Sequence, residues 1–417
     1  MRKPALAFVL LAALPARAGD LAVSLTTLFR AYDYVDLTGD VVRFRALTPS
    51  VVVSANELLG RDLTFSANAR RVDDLRQGGD QREDLLYAVL SWQDPKGKLR
   101  LSGGRQLLPQ GPGYVIFDGL RGGCRLGRFD LAGAAGFGFE REGRKHAFGR
   151  YGSAELRFNA GRWGSLAAAV EHGSDDGIEV IFKSSLDGVL RPARPITLRG
   201  SVIWNQAVGE LDEALASADV QLGADLLQLE AGRIEPHFDP TTIWSVFNTG
   251  PYDRYSARLR HRLGEANAIW ARYERRAYYD KLGGNPGLAK PSVRAGADST
   301  SLGFGTVGET RLRWAAELFL NDGFGGFRAG ASVRIGHDLA FLGFAPGRLD
   351  GGIDLRAYDR GARDSRQDLT TAYWAEAVLP LGLHARLRLK GEDYRNGFLL
   401  RDFRMTVKLD LSSEEAF

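Results

Sequence analysis

The sequence has one cysteine, Cys124, in 417 residues. A single thiol excludes an intrachain disulfide and any cysteine-based metal cluster. No Cys-x-x-Cys-His occurs, so c-type haem cannot be attached covalently to this chain. Beyond the N-terminal leader no apolar run is long enough to cross a bilayer as a helix. Also missing is a basic run with interleaved aromatics, the mark of a nucleic-acid surface. His146, His237, His261, His337 and His384 are scattered without metal-ligand spacing. The chain itself therefore calls for no cofactor.

What is present first is a leader. Arg2 and Lys3 precede an apolar stretch from Ala5 to Leu14, and Ala16-Arg17-Ala18 fits a small-x-small cleavage site. This predicts a signal peptide over residues 1–18, cut before Gly19, with residues 19–417 as one domain. Removing it takes three basic residues and no acid, leaving 52 basic against 51 acidic side chains. The basic character of the full chain is then mostly a property of the leader.

The rest of the sequence alternates with a period of two. Arg258, Arg260 and Arg262 alternate with Leu259, His261 and Leu263; Arg272, Glu274 and Arg276 with Ala271 and Tyr273. Arg311, Arg313 and Glu317 alternate with Leu312, Trp314, Ala316 and Leu318. His384, Arg386, Arg388 and Lys390 alternate with Ala385, Leu387 and Leu389; Asp402, Arg404, Thr406, Lys408 and Asp410 with Phe403, Met405, Val407 and Leu409. Successive side chains on a strand point to opposite faces, so each segment has one apolar and one charged wall.

A soluble sandwich would also alternate. Here the pattern repeats without a linker or composition break, in segments of about ten residues, near the length that crosses a bilayer at a tilt. Short connections, Asp94-Pro95-Lys96-Gly97, Gly223-Ala224-Asp225 and Gly264-Glu265-Ala266, alternate with long ones at 71–82, 235–252, 279–298 and 359–367. The expected fold is all-β, a transmembrane antiparallel up-and-down barrel of about 22 strands, within a range of 18–22. A barrel of that size encloses an aqueous lumen or one filled by a plug or partner. The 235–252 segment, with Phe238, Trp244, Phe247 and Tyr252, reads equally as an inward constriction or an external loop. The stretch from Leu339 to Gly352, broken by Pro346 and glycines, is the hardest to read as strand.

The form Leu-x-Leu-x-small-Gly-Arg occurs twice, at Leu99–Arg105 and Leu227–Arg233. Around the first copy, residues 84–121 place a tyrosine-bearing strand and a turn before Leu99, Leu101, Gly104, Arg105 and Gln106, with Asp118-Gly119-Leu120 after a loop. This resembles a pattern of proteobacterial porin-like outer-membrane barrels. Among them it is most similar to the barrel components of porin–cytochrome electron conduits, and next to alginate-export-type porins. The conduit resemblance implies an insulating sheath whose lumen holds multihaem c-type cytochromes supplied by other genes. The terminal Phe417 suits an assembly signal, but Ser412 to Glu415 stand where alternating apolar residues are usual.

The charged wall is the candidate functional surface. Arg258, Arg260, Arg272, Glu274, Arg276, Arg311, Arg313, Glu317, His384, Arg386, Arg388, Lys390, Arg404 and Lys408 are expected to line a pore, where basic rings concentrate anions. Neighbouring opposite charges can also simply pair across strands and stiffen the wall. Glu171-His172-Gly173-Ser174 resembles the His-x-Ser signature of outer-membrane phospholipases, although Asp175-Asp176-Gly177 reads as the hairpin turn that follows. Trp92, Tyr273, Tyr279 and Trp314 are candidates for the interfacial aromatic girdle, and Cys124 for a small wall residue facing the same way as Leu120 and Leu126. Three readings follow: a porin-like channel for small solutes, a sheath for a cytochrome conduit, and a barrel enzyme acting on lipid. The expected partners are outer-membrane lipid, lipopolysaccharide and small solutes, with cytochromes under the second reading.

Overall fold

The computed structural model describes residues 20–35, 41–58, 62–75, 81–108, 115–138, 149–175, 178–235, 251–279, 293–307, 310–323, 326–339, 347–359, 368–382, 384–395 and 402–416. They form 22 strands in one antiparallel sheet. The strands that position the site are β1 (Asp20–Val35), β2 (Val41–Asn56), β5 (Leu99–Leu108), β6 (Val115–Leu126), β8 (Arg150–Asn159), β9 (Gly164–Asp175), β10 (Ile178–Ala193), β11 (Ile196–Asn205), β12 (Glu210–Leu222), β13 (Asp225–Ile234), β14 (Tyr252–Leu263), β15 (Asn267–Tyr279), β16 (Val293–Thr306), β17 (Leu312–Gly323), β18 (Gly326–Leu339), β19 (Gly347–Asp359), β20 (Asp368–Pro380), β21 (Ala385–Arg395) and β22 (Asp402–Ala416). The others are β3 (Leu63–Asp74), β4 (Gln81–Gln93) and β7 (Phe129–Gly138). Each pairs with the next in the chain, and β1 pairs with β22 from Asp20↔Ala416 to Tyr32↔Arg404. The sheet closes on itself and has no free edge, which satisfies the backbone groups that an open sheet would leave bare.

Strand lengths of 10 to 16 residues correspond to about 33 to 53 Å of extended chain, enough to cross a tilted hydrocarbon layer. At the end where β1 begins, the described connections are tight. Residues 127–128 and 223–224 turn the chain in two residues, with Gly127 and Gly223 at φ 63° and 61°, a conformation that L side chains resist. The 94–98 turn is held by Asp94, whose carboxylate accepts N–H bonds from Leu99 at 2.5 Å and Lys96 at 3.2 Å.

Several expectations need correcting. Strand pairing reaches further into the long connections than composition suggests: β14 opens at Tyr252 and β16 at Val293, the latter paired with Tyr279. Residues 236–250, including Phe238, Trp244 and Phe247, lie outside the described residues, as do the leader, Gly19, His146, His237 and Pro346. The last strand continues through Ser412 to Glu415, because β1 offers a full ladder opposite them. Gly351 and Gly352 sit inside β19, paired on both sides.

One face of nearly every strand carries exposed large apolar side chains: Leu101, Leu120, Leu259, Leu302, Leu318, Val333, Ile335 and Ile353 among them. The other carries most of the charge, and there Glu274, Ser301, Ser332, Asp350 and Asp402 are buried although polar. Side chains converge and shield one another on a concave wall and diverge on a convex one. The charged face is therefore the interior, and the leucine face is the exterior, suited to hydrocarbon. Among the described residues there is no central core; an apolar patch of Leu108, Val115, Phe117, Ala134 and Tyr151 packs on the inner wall instead.

Candidate functional site

The inner wall owes its charge to strand parity. On β14 the even positions Arg254, Arg258, Arg260 and Arg262 face inward, opposite in sense to Tyr255, Leu259 and Leu263. Register carries the face to β15, where Arg254↔Arg276, Ser256↔Glu274, Arg258↔Arg272 and Arg260↔Trp270 are direct neighbours. Glu274 is the hub. It lies within 2.5 Å of Arg272, 2.6 Å of Arg276 and 3.4 Å of Arg254. Arg254 also reaches Glu230 of β13 at 3.1 Å. Arg258 and Arg260 have no ion-pair partner among the described residues. Six guanidiniums, Arg262 included, thus share this face with two carboxylates over three adjacent strands.

The same parity places Arg313, Glu317, Arg386, Arg388, Lys390, Arg404 and Lys408 on the inner face, but most are neutralised locally. Arg313 bonds Asp338 at 2.6 Å, Arg388 bonds Glu376 at 3.2 Å, and Lys390 bonds Glu392 at 2.8 Å. Arg404 bonds Asp402 at 2.7 Å and Lys408 bonds Asp410 at 3.0 Å. Across the closing seam, the Thr26 hydroxyl donates to Asp410 at 2.5 Å.

Two residues fall outside this wall. Arg311 and His384, read as strand positions, lie in the connections before β17 and β21. Their carbonyls accept N–H bonds from Asp338 of β18 and Ser412 of β22, both at 2.8 Å, which tie them to the ends of the neighbouring strands. Alternation in sequence continues past the point where the ladder stops.

The basic surplus is local. On the inner wall from β8 to β13, acids outnumber cations among the described residues: Arg157, Lys183 and Arg199 stand among Glu155, Glu171, Asp187, Asp212, Glu213, Asp219 and Glu230. A wall depression of about 330 Å³ among Arg157, Asp187, Arg199 and Glu230 lies in this acidic arc. Charge is therefore segregated around the lumen, acidic over β8–β13 and basic over β14–β15. The sequence reading missed Arg254 and Glu230, although Arg254 belongs to the same even-numbered series as Arg258. It also missed Trp270, which reads as apolar yet stands on the charged face.

The outward face holds the other candidates. His172 and Ser174 share it with Val170, as alternation requires. His172 meets the Phe182 ring edge-on at 5.8 Å, and no hydrogen bond joins it to Ser174 among the described residues. Trp314 stands outward with Phe304, ring centres 4.8 Å apart, and the Tyr273 hydroxyl donates to Asp298 at 2.7 Å. Cys124 shares the outer face of β6 with Leu120 and Leu126. Gly122 and Gly123 beside it pair regularly, so no bulge occurs there. The Leu-x-Leu-x-small-Gly-Arg copies end on outward arginines, each opposite an aspartate of the next strand: Arg105↔Asp118 and Arg233↔Asp253.

No protein-family model and no curated protein matches the chain. Solved structures do match. The translocation pore of the P pilus usher PapC gives a TM-score of 0.49 at 9% identity, covering 94% of this chain and 99% of that one. Pseudomonas aeruginosa OpdO gives 0.47 at 14% identity, covering 95% and 98%. OccK8 (OprE) of the same organism gives 0.47 at 9% identity, with the same coverage. The chain is similar in layout to these outer-membrane pores, and identities this low speak to layout alone.

Proposed function

We propose that the chain is an outer-membrane porin-like channel that passes small solutes passively and favours anions along the β14–β15 wall. In this reading residues 1–18 are a signal peptide, residues 19–417 are the barrel, and the leucine face contacts outer-membrane lipid and lipopolysaccharide. The observation that carries it is the pair Arg258 and Arg260, without carboxylate partners among the described residues, beside three further arginines sharing Glu230 and Glu274. Unneutralised guanidiniums in a confined aqueous passage raise the local concentration of anions and repel cations. A self-neutralising wall would have no such surplus.

The test is the zero-current potential of the purified barrel in a planar bilayer under a potassium chloride gradient. The expected sign is that of a chloride-preferring pore, moving toward zero in an Arg258→Gln/Arg260→Gln double variant. Cation preference, or an unchanged potential in the variant, overturns the proposal. Loss of selectivity with rising ionic strength is expected as well, since exposed charges are screened within about 10 Å at 0.1 M salt.

A further inference from the structure

Trp270 is a large aromatic on the charged inner face, directly opposite Arg260 on β14 and Gly303 on β16. A Cβ at Gly303 would fall 2.2 Å from Trp270 Cε2 and 2.3 Å from Nε1, so the indole lies flat on the neighbouring backbone. One π face is occupied by that contact and the other is turned to the lumen.

The same device occurs twice more on the inner wall. Phe319 covers Gly330, where a Cβ would meet Cζ at 2.3 Å, and Trp374 covers Gly352, where it would meet Nε1 at 2.6 Å. Covering a strand glycine with an aromatic ring is a known way to stabilise a sheet, and it accounts for all three rings so far. The lumenal sides differ. Phe319 has the guanidiniums of Arg328 and Arg356 at 5.5 and 5.8 Å from its ring centre, and Trp374 has the Lys390 ammonium at 6.0 Å. Those π faces already hold a cation. Trp270 has no such stack among the described residues, and the cations beside it, Arg258 and Arg260, have no acid. A free ring face and free guanidiniums coincide there.

We infer that Trp270, Arg258 and Arg260 form a lumenal subsite for a solute bearing a carboxylate on a flat ring, such as an aromatic acid or a sugar acid. The ring lies offset on the indole, and the carboxylate accepts the paired N–H groups of a guanidinium, whose planar fork matches its two oxygens. Neighbouring strands stand about 4.8 Å apart, so ring and charge are offered side by side. An acyclic acid would use only the arginines, and a ring-bearing amine only the indole. The inference rests on the channel reading and adds the class of solute.

Chloride current through the purified barrel is measured in a planar bilayer while benzoate, glucuronate, acetate or benzylammonium is added. The expected result is saturable block by benzoate, glucuronate or both, at concentrations where acetate and benzylammonium have little effect. Block by benzoate alone assigns the site to aromatic acids; block by glucuronate assigns it to sugar acids. Trp270→Leu, which still covers Gly303, should raise the half-blocking concentration roughly fivefold to tenfold, the scale of one aromatic stacking contact. Arg258→Gln/Arg260→Gln should do the same, and Trp374→Leu should not. If Trp270→Leu fails to give a heat-modifiable barrel, the arginine double variant carries the test. Equal block by benzoate, glucuronate and acetate in a chloride-conducting barrel overturns the inference and leaves the channel reading standing. A barrel without chloride current fails the channel reading and takes the subsite with it.

Discussion

Arg258 stands directly across the β14–β15 ladder from Arg272, and the two guanidiniums share one inner face. Like charges in register destabilise a strand pair, so something nearby must offset them. Glu274 does so for Arg272, Arg276 and Arg254, while Arg258 has no acid among the described residues.

Glu274→Gln removes the buried hub and leaves three guanidiniums facing one another. A hydrogen bond to a charged group contributes about 1.5–3 kcal/mol, so the variant should lose roughly that much stability. Its anion preference should rise at the same time. Denaturant unfolding in vesicles gives the first quantity and the zero-current potential gives the second. A variant as stable as the parent would mean that water in the lumen, not Glu274, offsets the arginines.

On the outside, Arg105 bonds Asp118 through Nε and Nη2, both at 2.8 Å, among exposed Leu101, Leu107 and Leu120. Asp118→Ala removes the carboxylate from an arginine on the lipid face that keeps its bond to the Leu85 carbonyl at 3.2 Å, and an arginine there costs up to about 2–4 kcal/mol near the bilayer midplane. Replacing both residues by leucine should recover most of that loss, because a neutral apolar pair needs no mutual support. The check is the unfolding free energy of both variants in the same lipid.

Asp94 lies in a turn outside the spanning segments, and the N–H of Leu99, with that of Lys96, holds its carboxyl below the ordinary carboxylate value. A depressed acid stabilises the fold above its unfolded value, about 4, and the benefit disappears as pH falls through the folded value. The stability difference between the parent and Asp94→Asn should therefore be constant from neutral pH to about pH 5 and shrink in more acidic solution. A difference that grows on acidification would contradict the turn geometry.

The barrel was legible because the period-two signal is repeated on strand after strand, and closure needs only an even number of strands. Parity also placed Arg258, Arg272, Arg313 and Arg388 on the inner face, since register with the next strand preserves it. The signal fails where ladders end: nothing in the local sequence separates Arg311 or His384 from the strands that follow. Nor does alternation tell which cations are neutralised. Arg404 and Arg260 look alike in sequence, yet only Arg404 has an acid two positions away on its own strand, Asp402, at 2.7 Å. Trp270 was hidden for a related reason, because an apolar side chain on the charged face shifts no pattern that a period of two would register.

The seam between β1 and β22 is built like every other joint in the wall, with Asp20 opposite Ala416. The order in which the polypeptide visits the strands is thus not written into the wall once it has closed. A circularly permuted gene, opened at the Gly223–Ala224 hairpin and spliced by a short linker across the former ends, encodes the same cylinder. Neither β1 nor β22 is privileged in the finished architecture, only in the schedule by which the ribosome delivers them.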